Sequence, residues 1–401
     1  MSRSIDKTTR FILIALALIM AIGLAVNLSR KNALQEVQWD FKIFYFAAQA
    51  GRLGLDPYEI DNLRQVSGQQ IELPFVYPPL TVWLFKPFTL LSYPVASQVW
   101  LFLKLALLSG LILLWRRHFI AGSLNGLFYL FLLFAFDAAI YWDFKAGNIS
   151  LVEQLLLWMA FFLLLKRNGV GFGALVVLAS TFKVITIVFL VLLPLSDIKH
   201  KWKYCLAGFA FFAVILGFQY VSDPGLFHNY LQHAFAVDER ARDYNYAALA
   251  FFKDASGSFG EMTGIGLPSA VPVAAYLVAV AVILTITWRT FRQRLTTGFS
   301  VDPRLLVFLC CVIFALIAPR MKCYSYIIMI PPSFYILKEY VSAKAYPFIF
   351  LLLIMTVHNP LPQNELVRQY AYYYPLYMTF CVWILYLFYI RKASPAPERP
   401  V

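Results

Sequence analysis

The sequence predicts an all-α protein, a polytopic bundle of transmembrane helices, and two features of its composition support this fold class. Of the 401 residues, 61% are hydrophobic and only 14% are charged, whereas soluble domains contain about 45–50% apolar and about 25% charged residues. Many stretches of roughly 15 to 22 residues carry almost no charge, and a helix needs about 20 apolar residues to cross a membrane. Lipid is therefore the expected solvent for most of the chain.

The basic residues predict how the chain is oriented in the membrane. The formal net charge is +13, and the lysines and arginines are concentrated at the ends of apolar stretches. The clusters are Arg116 with Arg117, Lys166 with Arg167, the segment 199–203, the segment 289–294, and Arg391 with Lys392. Loops rich in Lys and Arg stay in the cytoplasm, where they meet anionic membrane lipids. No basic face forms, so nucleic acid is not an expected partner.

One topology places all these clusters inside and gives about twelve crossings of roughly 20 residues or fewer each. The first crossing, 11–28, has no small-residue cleavage site after it and is kept as an uncleaved span. It leads into a first outer loop, 29–92, with interfacial helices; a second large outer loop covers 222–267. Further crossings are predicted at 94–115, 120–141, 149–165, 204–221, 268–288, 304–318, 324–337, 346–357 and 372–390. Segment 78–91 is left as an interfacial or re-entrant element of this single domain, 1–401.

The apolar stretch 169–195 is too long for a simple crossing and carries Lys183 near its middle. A single crossing would place the basic segment 197–203 outside, against the positive-inside rule. Two short helices that meet near Lys183 restore the pattern, and broken helices are tolerated where they line a polar cavity. We therefore predict a hairpin whose tip brings Lys183 close to the outer side.

This topology collects many polar residues at the outer face. Carboxylates, cations and amides that meet on one side of a membrane indicate a reaction centre. The set comprises Asp40, Lys42, Tyr77, Asp143, Lys145, Asn148, Lys183, Asn229, Arg240, Arg242, Asn245, Arg320, Lys322 and Tyr326. Neither the five cysteines nor the histidines have the spacing of a metal site, so we expect no metal and no cofactor.

Several motifs follow one another through this set. In chain order they are Asp40 ahead of an aromatic helix with Ala47-Ala48, then Gly54-Leu55-Asp56-Pro57-Tyr58, Tyr77-Pro78-Pro79-Leu80, Gly147-Asn148, Thr181-Phe182-Lys183 and Asn245-Tyr246-Ala247-Ala248-Leu249. The ordered series resembles glycosyltransferase family 87, the polyprenyl-phosphate-dependent mannosyltransferases of the GT-C superfamily, over most of the chain. One segment departs from the resemblance: Ala318-Pro319-Arg320-Met321-Lys322 stands where a Ser-Pro-His type segment is expected.

The resemblance implies an enzyme that transfers a hexose, mannose in that family, from a polyprenyl-phosphate donor to a glycan or glycolipid acceptor. The reaction is expected to invert the anomeric centre at the outer face of the plasma membrane. Asp40 matches the family's general base, which accepts the proton of an otherwise weakly nucleophilic sugar hydroxyl. The alternative for Asp40 is the N-cap of the helix that follows it.

The remaining candidates bind substrate. Fixed cations in a water-poor pocket stabilise a leaving phosphate, and the candidates for this role are Lys183, Arg320 and Lys322. The alternative is that each lysine or arginine only extends to the membrane interface. Other substrate contacts are expected from Tyr77, Asp143, Asn148, Asn245 and Tyr326. Asp143 is also a rival base, with Lys145 as its expected counter-ion.

Two other functions remain open for such a sequence. A transporter or flippase of a lipid-linked substrate also uses broken helices around a polar cavity, but no inverted repeat is visible and the outer loops suit a bound acceptor better. A structural subunit of an envelope-synthesis complex would leave Asp40 and Lys183 without a role.

Overall fold

The computed structural model describes residues 38–120, 126–295, 303–341, 354 and 370–392. All regular elements in these ranges are helical, apart from one antiparallel bridge between Asn245 and Lys322. The predicted all-α class is therefore confirmed. The predicted crossing 11–28, and all but one residue of 346–357, lie outside the described residues.

The chain forms two compact units. Unit 1 is Met1–Ala121 with Tyr141–Asp238, and unit 2 is Gly122–Ile140 with Glu239–Val401. The helices are α1 Trp39–Arg52, α2 Ile60–Ser67, α3 Pro79–Phe85, α4 Tyr93–Leu114, α5 Gly126–Ala146, α6 Ser150–Leu165, α7 Gly169–Ser180, α8 Leu192–Leu195, α9 Lys201–Ser222, α10 Pro224–Ala236, α11 Ala248–Thr263, α12 Ala270–Leu295, α13 Pro303–Ile317, α14 Ile330–Val341 and α15 Tyr374–Lys392. Segments of 3₁₀ helix occupy Lys86–Leu90, Val184–Val191, Ala241–Asp243 and Cys323–Met329.

Four helices of the described ranges are long and apolar enough to cross a membrane: Tyr93–Phe119, Lys201–Ser222, Ala270–Arg292 and Tyr374–Arg391. The bent pair Phe128–Ala146 and Ser150–Leu165 raises the count to five if it forms one span. Three further apolar helices are shorter, at Gly169–Ser180, Val184–Leu195 and Pro303–Ile317. The count of about twelve crossings is not confirmed, because several predicted spans are short or bent helices and others lie outside the described ranges.

The apolar stretch 169–195 is broken where the sequence predicts. Helix α7 ends at Ser180, and Lys183 is extended (φ −133°, ψ 100°) ahead of the 3₁₀ segment. Thr181 donates its hydroxyl to the carbonyl oxygen of Leu178 (2.7 Å), and Thr186 donates its hydroxyl to that of Lys183 (2.9 Å). Side-chain hydroxyls thus satisfy carbonyls that a continuous helix would have bonded, as a break inside a membrane requires.

The sequence predicts an outer loop at 142–148, between the crossings 120–141 and 149–165. This prediction is wrong for residues 142–146, which are helical. Helix α5 continues to Ala146, and α6 begins at Ser150 after a bend of 120°. Gly147 permits the bend, because its φ is +68° and a Cβ there would lie 2.9 Å from Phe41 Cβ and 3.0 Å from Gln38 Cβ. Only glycine adopts such a conformation without strain at so close an approach.

Helix α5 is also interrupted in its middle. Phe136, Asp137 and Ala138 have φ values of 53°, 60° and 55°, a left-handed conformation that costs about 1–2 kcal/mol per residue. The ring of Phe136 is fully buried and stacks on Tyr326 at 5.8 Å between centroids. Tertiary packing in unit 2 therefore holds a conformation that the local sequence disfavours.

Helix α1 is a core element of unit 1. Eight of its 14 residues are buried. Phe41 stacks on Trp100 at 5.6 Å, Phe44 packs edge-on against Tyr77 at 4.8 Å, and Tyr45 donates its hydroxyl to the carbonyl oxygen of Leu91 at 2.7 Å. By contrast, α2 buries Leu63 alone. The position of α1 at the membrane interface stays a prediction.

Candidate active site

Asp40 lies in the first turn of α1 and is not its N-cap. The N-cap is Gln38, and no side chain caps the helix. Gln38 is held with φ 61° by its N–H bond to the carbonyl oxygen of Lys145 (2.6 Å), and its Oε1 accepts the hydroxyl of Ser97 (2.8 Å). These tertiary bonds start the helix before Asp40, so the capping interpretation is wrong and the carboxylate remains available for other contacts.

Asn148 binds the Asp40 carboxylate. Its Nδ2 donates to Asp40 Oδ2 at 2.6 Å and to the Tyr77 hydroxyl at 2.8 Å. Its Oδ1 accepts from both the backbone N–H (3.0 Å) and the hydroxyl (2.7 Å) of Ser150. Because two donors converge on Oδ1, the chemistry of the network fixes the orientation of the amide, with its NH₂ toward Asp40. The structure thus brings together Asp40, Tyr77 and Asn148 as predicted.

Tyr77 is itself held by a neighbouring tyrosine. Its carbonyl oxygen accepts the hydroxyl of Tyr58 at 2.7 Å. Burial, followed by the neighbouring Tyr230 and Asp56, raises the pKa of Tyr58, so this phenol stays a donor at neutral pH. The Gly-x-x-Pro-Tyr motif, which contains Tyr58, therefore orients the Tyr-Pro-Pro-Leu motif from 19 residues away.

Lys183 contacts two side chains on one face of α6. Its Nζ lies 2.6 Å from Glu153 Oε2 and donates to Ser150 Oγ at 2.8 Å. Residues three apart on a helix face the same way, and a nearly buried cation needs such partners. Glu153 was not among the sequence candidates, although a carboxylate inside an apolar span was a signal for it.

Ser150 connects these contacts into one network of unit 1. It accepts a hydrogen bond from Lys183 and donates its own hydroxyl to Asn148, which donates to Asp40. An ammonium, a hydroxyl, an amide and a carboxylate thus follow one another through hydrogen bonds. Ser150, which the sequence did not single out, therefore connects Asp40, the predicted base, with Lys183, a predicted phosphate ligand.

Asp143 pairs with Lys104 and not with Lys145, which corrects the expected pairing. Lys104 Nζ lies 2.7 Å from Asp143 Oδ2, and these side chains are only 1% and 0% exposed. The Lys145 ammonium lies instead over the Trp142 ring, 4.9 Å from its centroid. A general base must reach the proton that it accepts, whereas the Asp143 side chain is buried and paired with Lys104, so this geometry does not support Asp143 as a base or as a substrate contact. Lys104, a lysine within an apolar span, carried the same signal as Lys183.

In unit 2, Arg320 and Lys322 bind one carboxylate, that of Glu239. Arg320 donates from Nε to Oε2 (2.7 Å) and from a terminal nitrogen to Oε1 (2.8 Å), and Lys322 Nζ lies 2.8 Å from Oε1. Burial acts to raise the pKa of Glu239, but the charges and hydrogen bonds of Arg320 and Lys322 outweigh it, so this pKa is below its ordinary value. The two cations form an anion-binding pair that a carboxylate occupies.

Asn245 and Tyr326 contact protein backbone around this pair. Asn245 Oδ1 accepts the N–H of Met321 at 2.9 Å, and its Nδ2 donates to the carbonyl oxygen of Glu239 at 3.2 Å. The Tyr326 hydroxyl donates to the carbonyl oxygen of Tyr246 at 2.9 Å, and the side chain is fully buried. These two predicted substrate contacts therefore support the segment that carries Arg320 and Lys322.

One of the comparisons with known proteins found a match. The family model described as glycosyltransferase family 87 matches residues 75–319, more than half of the chain. Searches of curated proteins and of solved structures gave no match. The matched range includes Tyr77, Asn148 and Lys183, whereas Asp40 precedes it and Arg320 follows it.

Proposed function

Because the chain belongs to glycosyltransferase family 87, we propose that this membrane glycosyltransferase transfers a hexose, mannose above all, from a polyprenyl-phosphate donor. The proposed acceptor is a glycan or glycolipid at the outer face of the plasma membrane. The apolar helices and the family support the membrane setting. The donor, the sugar, the inverting stereochemistry and the orientation are parts of the proposal.

The hydrogen bond from Asn148 to Asp40 is the observation that carries the proposal. A carboxylate that accepts an amide N–H is favoured in its ionised form and held in one orientation, which a general base needs. Asp40 also lies in the first turn of α1, where the helix dipole stabilises negative charge. An amide donor cannot itself take up the substrate proton, so the accepting role falls to the carboxylate.

In the proposed reaction, the acceptor hydroxyl gives its proton to Asp40 while its oxygen attacks the anomeric carbon. The bond between that carbon and the phosphate oxygen breaks on the opposite face. The products are the new glycoside and free polyprenyl phosphate, and the proton remains on Asp40 until solvent removes it. A single displacement inverts the centre, so a β-linked donor gives an α-glycoside.

We propose Lys183 in unit 1 and Arg320 with Lys322 in unit 2 as phosphate ligands. The support in unit 2 is geometric, because a bidentate guanidinium and an ammonium hold the Glu239 carboxylate in the manner in which such groups hold phosphate. Phosphate binding there requires that Glu239 be exchanged for the donor. Tyr77 and Asn148 stay the proposed substrate contacts beside the base.

The activity is tested with purified protein in lipid nanodiscs and a panel of polyprenyl-phosphate sugars. The expected result is release of free polyprenyl phosphate with one sugar, dependent on an acceptor and lost in Asp40→Asn. A protein that turns over none of the donors, or an Asp40→Asn variant as active as the wild type, would contradict the proposal. Movement of intact donor across vesicles without cleavage would favour a transporter instead.

Orientation is tested by cysteine labelling in intact cells with a membrane-impermeant reagent. We expect labelling of Tyr244→Cys, which lies in the second predicted outer loop, and none of Arg292→Cys, which lies in a predicted cytoplasmic cluster; both native side chains are exposed. Cys205, Cys311 and Cys323 are buried, whereas Cys310 and Cys381 are partly exposed, so labelling of the wild type measures the background. Labelling at 292 but not at 244 would reverse the orientation.

A further inference from the structure

One face of α4 carries three polar side chains, although this helix is apolar enough to cross the membrane. Ser97, Trp100 and Lys104 are three and four residues apart, a spacing that aligns them along a helix. Ser97 donates to Gln38 Oε1, and Trp100 Nε1 donates to the carbonyl oxygen of Gly147 at 2.8 Å. The row therefore runs from the start of α1 to the bend between α5 and α6.

Lys104 ends this row and is fully buried. Its Nζ contacts three oxygen atoms: Asp143 Oδ2 at 2.7 Å, the carbonyl oxygen of Asp143 at 2.5 Å and that of Asn148 at 2.8 Å. An ammonium has three N–H donors, so these contacts use them all. Two of the three oxygen atoms belong to the backbone at the bend, which a simple charge pair would not need.

These bonds satisfy carbonyls at a bend between two helices. Gly147 and Asn148 lie between α5, which ends at Ala146, and α6, which begins at Ser150. Buried carbonyls need a partner from the protein, and Trp100 and Lys104 supply the donors for Gly147 and Asn148. Asn148 is the residue whose side chain reaches Asp40, so its backbone position sets the geometry of that contact.

We propose that Trp100 and Lys104 are positioning residues for glycosyl transfer. They hold the carbonyl oxygens of Gly147 and Asn148, and thereby keep the Asn148 amide on the Asp40 carboxylate. Asp143 is the counter-ion that allows Lys104 to remain charged in the interior. This inference rests on the proposed function, because it concerns the geometry of the proposed base.

Matched variants distinguish a positioning role of Lys104 from a role in folding alone. Lys104→Met alone leaves Asp143 charged and unpaired, so it lowers both the melting temperature and the activity. The double variant Lys104→Met/Asp143→Leu removes the whole buried pair, and such replacements restore stability. The carbonyl oxygen of Asn148 still lacks its Lys104 donor, so we expect the Tm to recover while kcat stays reduced by about tenfold or more, as small misplacements of catalytic groups cause. The donor KM stays close to that of the wild type.

Trp100→Phe provides a second test that does not depend on the ion pair. It keeps an aromatic ring against Phe41 and deletes the N–H bond to Gly147, but the smaller side chain leaves a cavity beside Phe85 and Phe88. We expect a modestly lower Tm, with kcat measured well below that temperature reduced several-fold and the donor KM unchanged. Leu105→Met, on the exposed side of α4, is the control and leaves both Tm and kcat unchanged.

The outcomes distinguish this inference from the proposed function. If the wild type releases polyprenyl phosphate and Asp40→Asn does not, the proposed function stands. A double variant that recovers both Tm and kcat would then overturn the positioning role. Should the double variant not fold, Trp100→Phe decides alone, and a wild-type kcat in that variant overturns the inference. A wild type that is inactive with every donor contradicts the proposed function first.

Discussion

The two units both hold cations against carboxylates, but they differ in how accessible these pairs are. In unit 1 the Lys104–Asp143 pair is at most 1% exposed, and Lys183 and Glu153 are 19% and 4% exposed. In unit 2 Arg320 is 44% and Glu239 is 18% exposed. A sealed pair cannot exchange its carboxylate for a ligand, whereas a partly open pair can. We therefore propose that Lys104 belongs to the scaffold and that Arg320 can exchange Glu239 for a ligand; the exposure of Lys183 is intermediate.

The largest expected effect tests whether unit 1 contains the base. Asp40→Asn keeps the shape of the side chain and removes its basicity, so kcat should fall by about 10² to 10⁴-fold. Stability should change little, because the asparagine keeps an oxygen that can accept the Asn148 N–H. Asp61→Asn is the control, since Asp61 is 86% exposed on α2. The rate of polyprenyl-phosphate release and the Tm are measured together, and a folded Asp40→Asn protein with full activity would remove the base from unit 1.

The next effect tests the exchangeable cations. Arg320→Ala should lower turnover by on the order of 10²-fold, as the loss of a preorganised charge contact does. Arg242→Ala is the matched control, because Arg242 is 86% exposed and lies 3.9 Å from Asp243 in the same unit. Full turnover of Arg320→Ala would place the anion site elsewhere.

Lys183→Ala tests whether Lys183 has a catalytic role or belongs to the scaffold of unit 1. We expect a loss of turnover of about the same size, together with a lower Tm because Glu153 is left buried and unpaired. Adding Glu153→Gln removes the stranded charge. Turnover that stays low after Tm recovers assigns Lys183 to catalysis, and turnover that recovers with Tm assigns it to the scaffold beside Lys104.

A smaller effect concerns the bend that presents Asn148. Gly147→Ala forces a non-glycine residue into φ +68° against Phe41 and Gln38, a strain of about 1–3 kcal/mol. Thermal unfolding should show a lower Tm, together with reduced activity. Gly110→Ala is the control, because a Cβ at position 110 would have no other atom within 4 Å and alanine favours the helix. Equal Tm values for the two variants would show that the bend is not rigid.

The smallest effect is the acid dependence of unit 2. The pKa of Glu239 in the folded state lies below its ordinary value of 4.5, so its contribution to stability is complete above that pH. The contribution is lost as the pH falls from there through the lowered pKa. Glu239→Gln should flatten this part of the curve of Tm against pH, whereas Glu261→Gln, at an exposed position, should not. Identical curves of Tm against pH for both variants would mean that the contacts of Glu239 with Arg320 and Lys322 do not stabilise unit 2.

The features that the sequence predicted correctly depend on residues that lie close together in the chain. Hydropathy predicted the all-α class and a long apolar helix at 94–115, which the structure has as Tyr93–Phe119. Charge distribution predicted the break beside Lys183, and the ordered motifs identified the family. Each apolar stretch, charge cluster or motif lies within one short segment of the chain, so it can be recognised without knowledge of the fold.

Only the tertiary structure decided which partners the polar residues have. Lys104 and Asp143 are 39 residues apart, and Asn148 and Asp40 are 108 apart. The segment 142–148 was predicted to be an outer loop, yet α5 continues to Ala146 and its Asp143 pairs with Lys104 inside unit 1. The sequence by itself determined that charged groups would occur within apolar spans. The fold decided which charge meets which, because in a low-dielectric interior each buried charge is stable only beside its partner.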